Sequence, residues 1–154
     1  MKTAHYMISG LGLFVLALTI VALHGNQAQA SQQTESKWRI VNYWSEWCAP
    51  CRQEIPMLNE LNEALSSGNV TIVGVNFDED PREMTLSIAK EMGIDFPTLT
   101  VEEVSELQLP APFVLPTTYI LSPDNEVVAK MIGEQTTESL RAQLLNLGLS
   151  VETE

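Results

Sequence analysis

Trp38-Arg39-Ile40-Val41-Asn42-Tyr43-Trp44-Ser45-Glu46-Trp47-Cys48-Ala49-Pro50-Cys51 is the stretch on which the reading of this 154-residue chain turns. Its first half, Trp38 to Trp44, is aromatic and β-branched, as a buried strand requires. A helix is expected directly after it, because Ile55, Leu58, Leu61 and Leu65 recur at helical spacing. Asn59, Glu60 and Glu63 fall on the wet side, and Ser66-Ser67-Gly68-Asn69 ends the run. The two cysteines of the chain therefore sit where a buried strand hands over to a helix.

That position carries chemistry. A sulfur near the N-cap meets the unpaired N–H groups and the positive dipole end of the helix. Both favour thiolate, so the pKa of Cys48 is expected below the ordinary value of about 8.5. Pro50 is tolerated in the first turn, where its missing N–H has no intrahelical partner to lose. Cys51, one turn further in, should be the more buried and is placed to attack Cys48 once that sulfur is bonded to a substrate. A nucleophilic thiol and a resolving thiol are the minimum set for thiol–disulfide exchange. Half of a zinc site and a purely structural disulfide are the bland alternatives. Zinc is disfavoured because no further Cys and no His outside residues 1–30 can complete four ligands. A structural role is disfavoured because so short a loop constrains little of the unfolded chain.

Further along, Val70 to Phe77 reads as a second strand, too continuously apolar for a half-exposed edge. Asp80-Pro81-Arg82-Glu83 offers an N-cap, a proline at N1 and an acid at N3. Met84, Ile88 and Met92 then share a helix face, and Gly93 suits the C′ position. Strand, helix, strand implies a parallel pair with a right-handed crossover. Thr117–Leu121 and Val127–Met131 flank the turn Ser122-Pro123-Asp124-Asn125 and predict an antiparallel hairpin. Residues 136–147 close the domain as a helix with Leu140, Leu144 and Leu147 on one side and Gly148 after it. Between these halves, Asp95 to Val101 is expected as an extra strand and Glu102 to Leu107 as a short helix. Trp44 is read as core, Trp47 as a wall of the active-site surface, and Met84 and Met92 as packing. Pro56 should kink the first helix, and Asp78-Glu79-Asp80 is read as a solvated loop plus N-cap.

The leader is a separate matter. Lys2 is the one charged residue of positions 1–30, Met7 to Leu23 is almost wholly apolar, and Ala28-Gln29-Ala30 follows. These are the n-region, h-region and small-x-small site of a signal peptide cut after Ala30. A retained N-terminal membrane anchor is the rival reading. Residues 31–36 form a polar tether and 37–150 the domain. The formal charge of the chain is −12, and it becomes −13 without the leader. Such an acidic surface argues against nucleic acid as a partner. Without His5 and His24, Ser-His or Cys-His catalysis lacks its base.

Val41 to Pro56, with its Trp-Cys-Ala-Pro-Cys-Arg-Gln-Glu-Ile-Pro core, resembles the active-site segment of thioredoxin-like proteins, and most closely the extracytoplasmic TlpA/ResA branch. Leu115-Pro116-Thr117-Thr118-Tyr119-Ile120 is similar to the segment carrying that family's cis-proline, and Val73-Gly74-Val75-Asn76 and Gly133 fit the pattern. The resemblance spans roughly residues 38–148. It implies an α/β thioredoxin fold, a central mixed sheet built from a βαβ and a ββα half and flanked by helices. It implies a redox-active disulfide Cys48–Cys51, with Cys48 as nucleophile and Cys51 as resolving thiol. Pro116 would be the cis-proline that turns the Leu115 backbone toward the pair, where an extended substrate can bond. Trp47 and Pro50 would complete the substrate surface. Glu54 would take the proton that Cys51 releases.

The resemblance further implies a reductase of protein disulfides in the periplasm or on the extracytoplasmic face of the inner membrane. It would act in cytochrome c maturation and be recharged by a membrane electron donor of the CcdA/DsbD type. No cofactor and no metal are called for. A dithiol oxidant of the DsbA type and a Cu(I) carrier using the two thiolates are the alternatives. Three departures stand out, one being that residues 102–113 do not match the family pattern closely. Asn42 replaces the buried Asp of cytoplasmic thioredoxins, and the short segment before the first strand leaves out the N-terminal hairpin common in this branch.

Overall fold

The computed structural model describes residues 37–149. The leader, the tether and the expected absence of an N-terminal hairpin fall outside them. Strand β1 is Trp38–Trp44, helix α1 Ala49–Leu65, strand β2 Val70–Asn76, helix α2 Arg82–Glu91, and helix α3 Val101–Leu107. Strands β3 (Thr117–Leu121) and β4 (Val127–Ile132) and helix α4 (Thr137–Asn146) follow. The sheet order is β2-β1-β3-β4. β1 runs parallel to β2 and antiparallel to β3, and β3 antiparallel to β4. The expected βαβ and ββα halves thus meet along β1 and β3. Among the described residues no helix is long and apolar enough to cross a membrane.

Alternation along β1 divides the core into two layers. Ile40 and Trp44 face α1, α2 and α4, where they meet Ile55, Leu58, Ala89, Leu140 and Leu144. Val41 and Tyr43 face the other way, against Val73, Tyr119 and Leu107 of α3. Register also decides what lies at the sheet's ends. Tyr43 pairs with Thr117, and Thr117 with Ile132, while Trp44 pairs with Asn76. The cysteine turn after β1, the loop after β2, Pro116 before β3 and Gly133 after β4 are therefore gathered at one end of the sheet.

Several expectations need correction. β2 is an edge strand, yet it is buried along nearly its whole length. The segment expected as an extra strand explains why. It makes only one parallel bridge, Gly74 to Thr98, in which Gly74 N–H donates to Pro97 O at 2.8 Å and Leu99 N–H to Gly74 O at 2.9 Å. Pro97 has no N–H to extend a ladder, so the segment covers the edge without joining the sheet. α2 is capped by Pro81, with no side-chain cap bond. The Asp80 carboxylate is engaged by Asn76 Nδ2 at 3.0 Å instead. Met84 does not pack, being 52% exposed, because the inner face of α2 is set by Thr85 and Ala89. α1 spans Ala49–Leu65 with Pro56 inside it, and α3 starts at Val101, where Thr100 and Glu103 close a capping box.

Gly74 is required by a close approach. A Cβ there would lie 2.7 Å from the Trp44 indole nitrogen and 3.0 Å from the Phe96 ring. Gly74→Ala is predicted to lower stability by about 1–3 kcal/mol through overpacking, read as a fall in the urea midpoint with unchanged slope.

Candidate active site

Cys48 and Cys51 are joined in a disulfide across the first turn of α1. Cys48 is the N-cap residue. Its carbonyl accepts from Arg52 N–H at 3.3 Å, and its sulfur accepts from Cys51 N–H at 3.3 Å. The turn that delivers it is closed by Cys48 N–H to Ser45 O at 3.2 Å. Pro50 occupies the first helical turn. Cys51 is fully buried and Cys48 retains 4% exposure, so Cys48 is the nearer of the two to the surface.

Glu54 lies one turn beyond Cys51, on the same inner face of α1, and is 1% exposed. Asn42 Nδ2 donates to its Oε1 at 2.6 Å, and the Gln135 backbone N–H to its Oε2 at 2.8 Å. Asn42 also donates to Thr118 Oγ1 at 3.2 Å, which fixes the amide between the two strands it joins. Burial pushes the Glu54 carboxyl up to about 7; the bonds from Gln135 and Asn42 oppose the rise and the charge of Glu134 adds to it. With Nδ2 toward Oε1, the amide is oriented for an ionised carboxylate. Asn42 Oδ1 has no partner among the described residues.

Leu115–Pro116 is a cis peptide bond. Leu115 packs against both core layers, including the one that holds the cysteines. Neither its N–H nor its C=O has a hydrogen-bond partner among the described residues. Trp47 stands out from the surface at 68% exposure. Its Nε1 donates to Asp78 Oδ1 at 3.2 Å, and its ring meets Phe77 edge-on at 6.4 Å. All of the residues singled out from sequence thus gather at the same end of the sheet.

Two participants were missed. Asp78 is no free loop acid: besides Trp47 it accepts from Ser45 Oγ, tying the cysteine turn to the loop after β2. Gln135 holds Glu54 through a backbone N–H, which no side-chain pattern announces. A cavity of about 680 Å3 opens on the other layer, between Tyr43, Leu99 and Val104, and neither cysteine lines it.

A mixed sheet of this order, with a Cys-x-x-Cys disulfide at the head of a helix and a cis-proline beside it, defines a thioredoxin-fold protein. Residues 14–130 match the AhpC/TSA family, and the chain belongs to that family. The chain is 31% identical over 110 residues to the thiol-disulfide oxidoreductase ResA of Bacillus cereus, covering 71% of this chain and 63% of that one. It is 30% identical over 122 residues to ResA of Geobacillus kaustophilus, covering 79% and 69%. The match to the Bacillus protein thus spans less than two thirds of that relative's length. Among solved structures, a secreted thiol-disulfide isomerase from Corynebacterium glutamicum superposes with a TM-score of 0.59 at 27% identity, covering 73% of this chain and 71% of that one. StoA from Bacillus subtilis shares the fold with a TM-score of 0.57 at 24% identity, covering 70% and 81%.

The Glu54 environment has a consequence for stability. Its folded pKa of about 7 lies above the ordinary carboxyl value of 4.5, so the folded state holds more protons than the unfolded chain between those two pH values. Stability from this group is present below pH 4.5 and is lost as pH rises to 7, by about 3 kcal/mol in all. Urea midpoints of the oxidised protein should fall across that window, and Glu54→Gln should remove most of the fall. Parallel pH profiles for the two proteins would contradict it.

Proposed function

We propose that the chain is a thiol–disulfide oxidoreductase of the cell envelope that reduces protein disulfides. The observation that carries this reading is the Cys48–Cys51 disulfide at the N-cap of α1, with Cys48 the nearer of the two to the surface and a buried carboxyl one turn behind it. The names of the relatives at 30% identity support the same chemistry.

In the reduced protein the Cys48 thiolate attacks a substrate disulfide. One Cys48–substrate S–S bond forms, the substrate S–S bond breaks, and the first substrate thiolate leaves. Glu54, ionised, takes the proton of Cys51. The Cys51 thiolate then attacks Cys48, the internal disulfide closes, and the second substrate thiolate leaves. Two substrate thiols are gained for the two enzyme thiols lost. A dithiol donor, for which a membrane protein of the CcdA/DsbD type is the proposed source, returns the two electrons. The N–H and C=O of Leu115, unpaired among the described residues, suit backbone pairing with an extended substrate, with Trp47 and Pro50 as neighbouring walls.

Residues 1–30 are proposed to direct the domain to the periplasm or to hold it at the extracytoplasmic face of the inner membrane. The haem-binding cysteines of apocytochromes c are the proposed physiological substrate, in keeping with the acidic surface.

Cys51→Ala should accumulate mixed disulfides with envelope proteins through Cys48, because release is blocked. Cys48→Ala should accumulate none. Non-reducing gels followed by mass spectrometry read both, and equal trapping by the two variants would overturn the assignment of roles.

A further inference from the structure

Gln135 reaches Glu54 through its backbone, yet its side chain is buried and engaged as well. The residue is 9% exposed, in the connection between β4 and α4. Both ends of its amide are used. Nε2 donates to Gly133 O at 2.7 Å, and Oε1 accepts from Ser139 Oγ at 2.9 Å. The amide thus bridges the residue that follows β4 to the first turn of α4. Ser139 is itself fixed, its Oγ accepting from Thr136 N–H at 3.0 Å and its N–H donating to Thr136 Oγ1 at 3.2 Å. At the other end Gly133, at a φ of +87°, donates its N–H to Pro116 O at 2.9 Å. One short loop is therefore pinned on the carbonyl of the cis-proline, on the capping box of α4 and, through Gln135 N–H, on Glu54 Oε2.

A side-chain change cannot remove the Gln135 N–H, but it can spoil its aim. That aim matters because a hydrogen bond to an ionised carboxylate opposes the effect of burial, and of the two bonds that do so here the one from Gln135 is the stronger. The surroundings of Glu54 offer little else. From β1 it meets Asn42, with Thr118 of β3 behind, both neutral. Its own helix brings Cys51 one turn back, and the loop brings the charge of Glu134, which works against ionisation.

We propose that Gln135 is a positioning residue for the resolving step: its side-chain amide locks residues 133–136 so that its own N–H holds Glu54 ready to accept the Cys51 proton. The inference rests on the proton role given to Glu54 above and adds the residue that enforces it. The proton passes from the Cys51 sulfur to Glu54. The Cys51 thiolate then attacks Cys48, and the Cys48–substrate S–S bond breaks as the internal one forms.

The test is a single turnover of the reduced full chain with dithiobis(nitrobenzoate), added below the protein concentration. Its two coloured thionitrobenzoate groups leave in turn, the first on attack by Cys48 and the second on attack by Cys51. Gln135→Met removes both amide bonds and keeps the volume. The pH inflection of the second release should rise by about one unit, making that release roughly fivefold slower at pH 7 and nearly equal at pH 9. The first release should change by less than about twofold. Glu54→Gln should abolish the inflection, and adding Gln135→Met to it should shift nothing further. Ser139→Ala removes only the hydroxyl that holds Oε1 and should move the profile in the same direction, by about half as much. A second release with the wild-type profile in Gln135→Met, or in Ser139→Ala if the first variant does not fold, overturns the proposal while the oxidoreductase reading stands. So does an equal slowing of both releases, or a shift that persists beside Glu54→Gln. An inflection that survives Glu54→Gln alone overturns the proton role of Glu54 and the proposal with it. Failure of the wild type to give either release overturns the oxidoreductase reading itself.

Discussion

The Cys51 N–H donates to the Cys48 sulfur at the first turn of α1, and the rest of the site is arranged to keep that contact where it is. Helix N-termini carry N–H groups with no intrahelical acceptor and the positive end of the dipole. A sulfur in the N-cap position receives both. Its placement depends on β1, which is buried from Ile40 to Trp44 and held on both sides by β2 and β3. The turn from Trp44 to Cys48 is fixed by its own backbone bond and by the Ser45–Asp78 contact. A shift of one residue in β1 would exchange the two core layers and carry the cysteines away from the helix axis.

A second layer sits behind the disulfide and acts through burial. Glu54 has no cationic partner among its described contacts; it is held by two N–H donors, Asn42 Nδ2 and the Gln135 backbone. Such bonds favour the ionised form and burial the neutral one, and burial is the larger effect here. A carboxyl balanced near 7 can hold or give up a proton at working pH with little driving force either way. Asn42 therefore substitutes for a buried acid in geometry but not in charge. It leaves Glu54 as the one buried carboxyl among the described residues, the proposed acceptor of the Cys51 proton.

The local parts of this structure were legible in sequence because each is written in contiguous residues. Trp38–Trp44 coincides with β1, the Ile55-Leu58-Leu61-Leu65 stripe is the buried face of α1, and Gly93, Gly133 and Gly148 all adopt positive φ. The cysteine pair was legible from its place at the head of a helix, while the cis-proline at Pro116 was found only through a family resemblance, which the cis bond matches. The misreadings share a different cause, since each depended on a partner distant in sequence. β2 reads as too apolar for a half-exposed edge, and it is buried, but its cover comes from Pro97–Leu99 and not from a neighbouring strand of the sheet. Met84 looked like core because helical spacing alone does not fix which face the sheet receives. Asp78 and Gln135 serve the site through contacts 31 to 81 residues away in the chain.

The account stands on the Cys48 thiol being acidified by the start of α1, and the pH dependence of its alkylation measures that directly. The reduced full chain would be treated with iodoacetamide from pH 5 to 9 and modification at Cys48 followed by mass spectrometry, beside a peptide bearing one free cysteine. The account predicts an inflection at least about one pH unit below the peptide's value near 8.5. It also predicts that Cys48 reacts roughly tenfold faster than the peptide at pH 6.5. A Cys48 profile that coincides with the peptide's would contradict it.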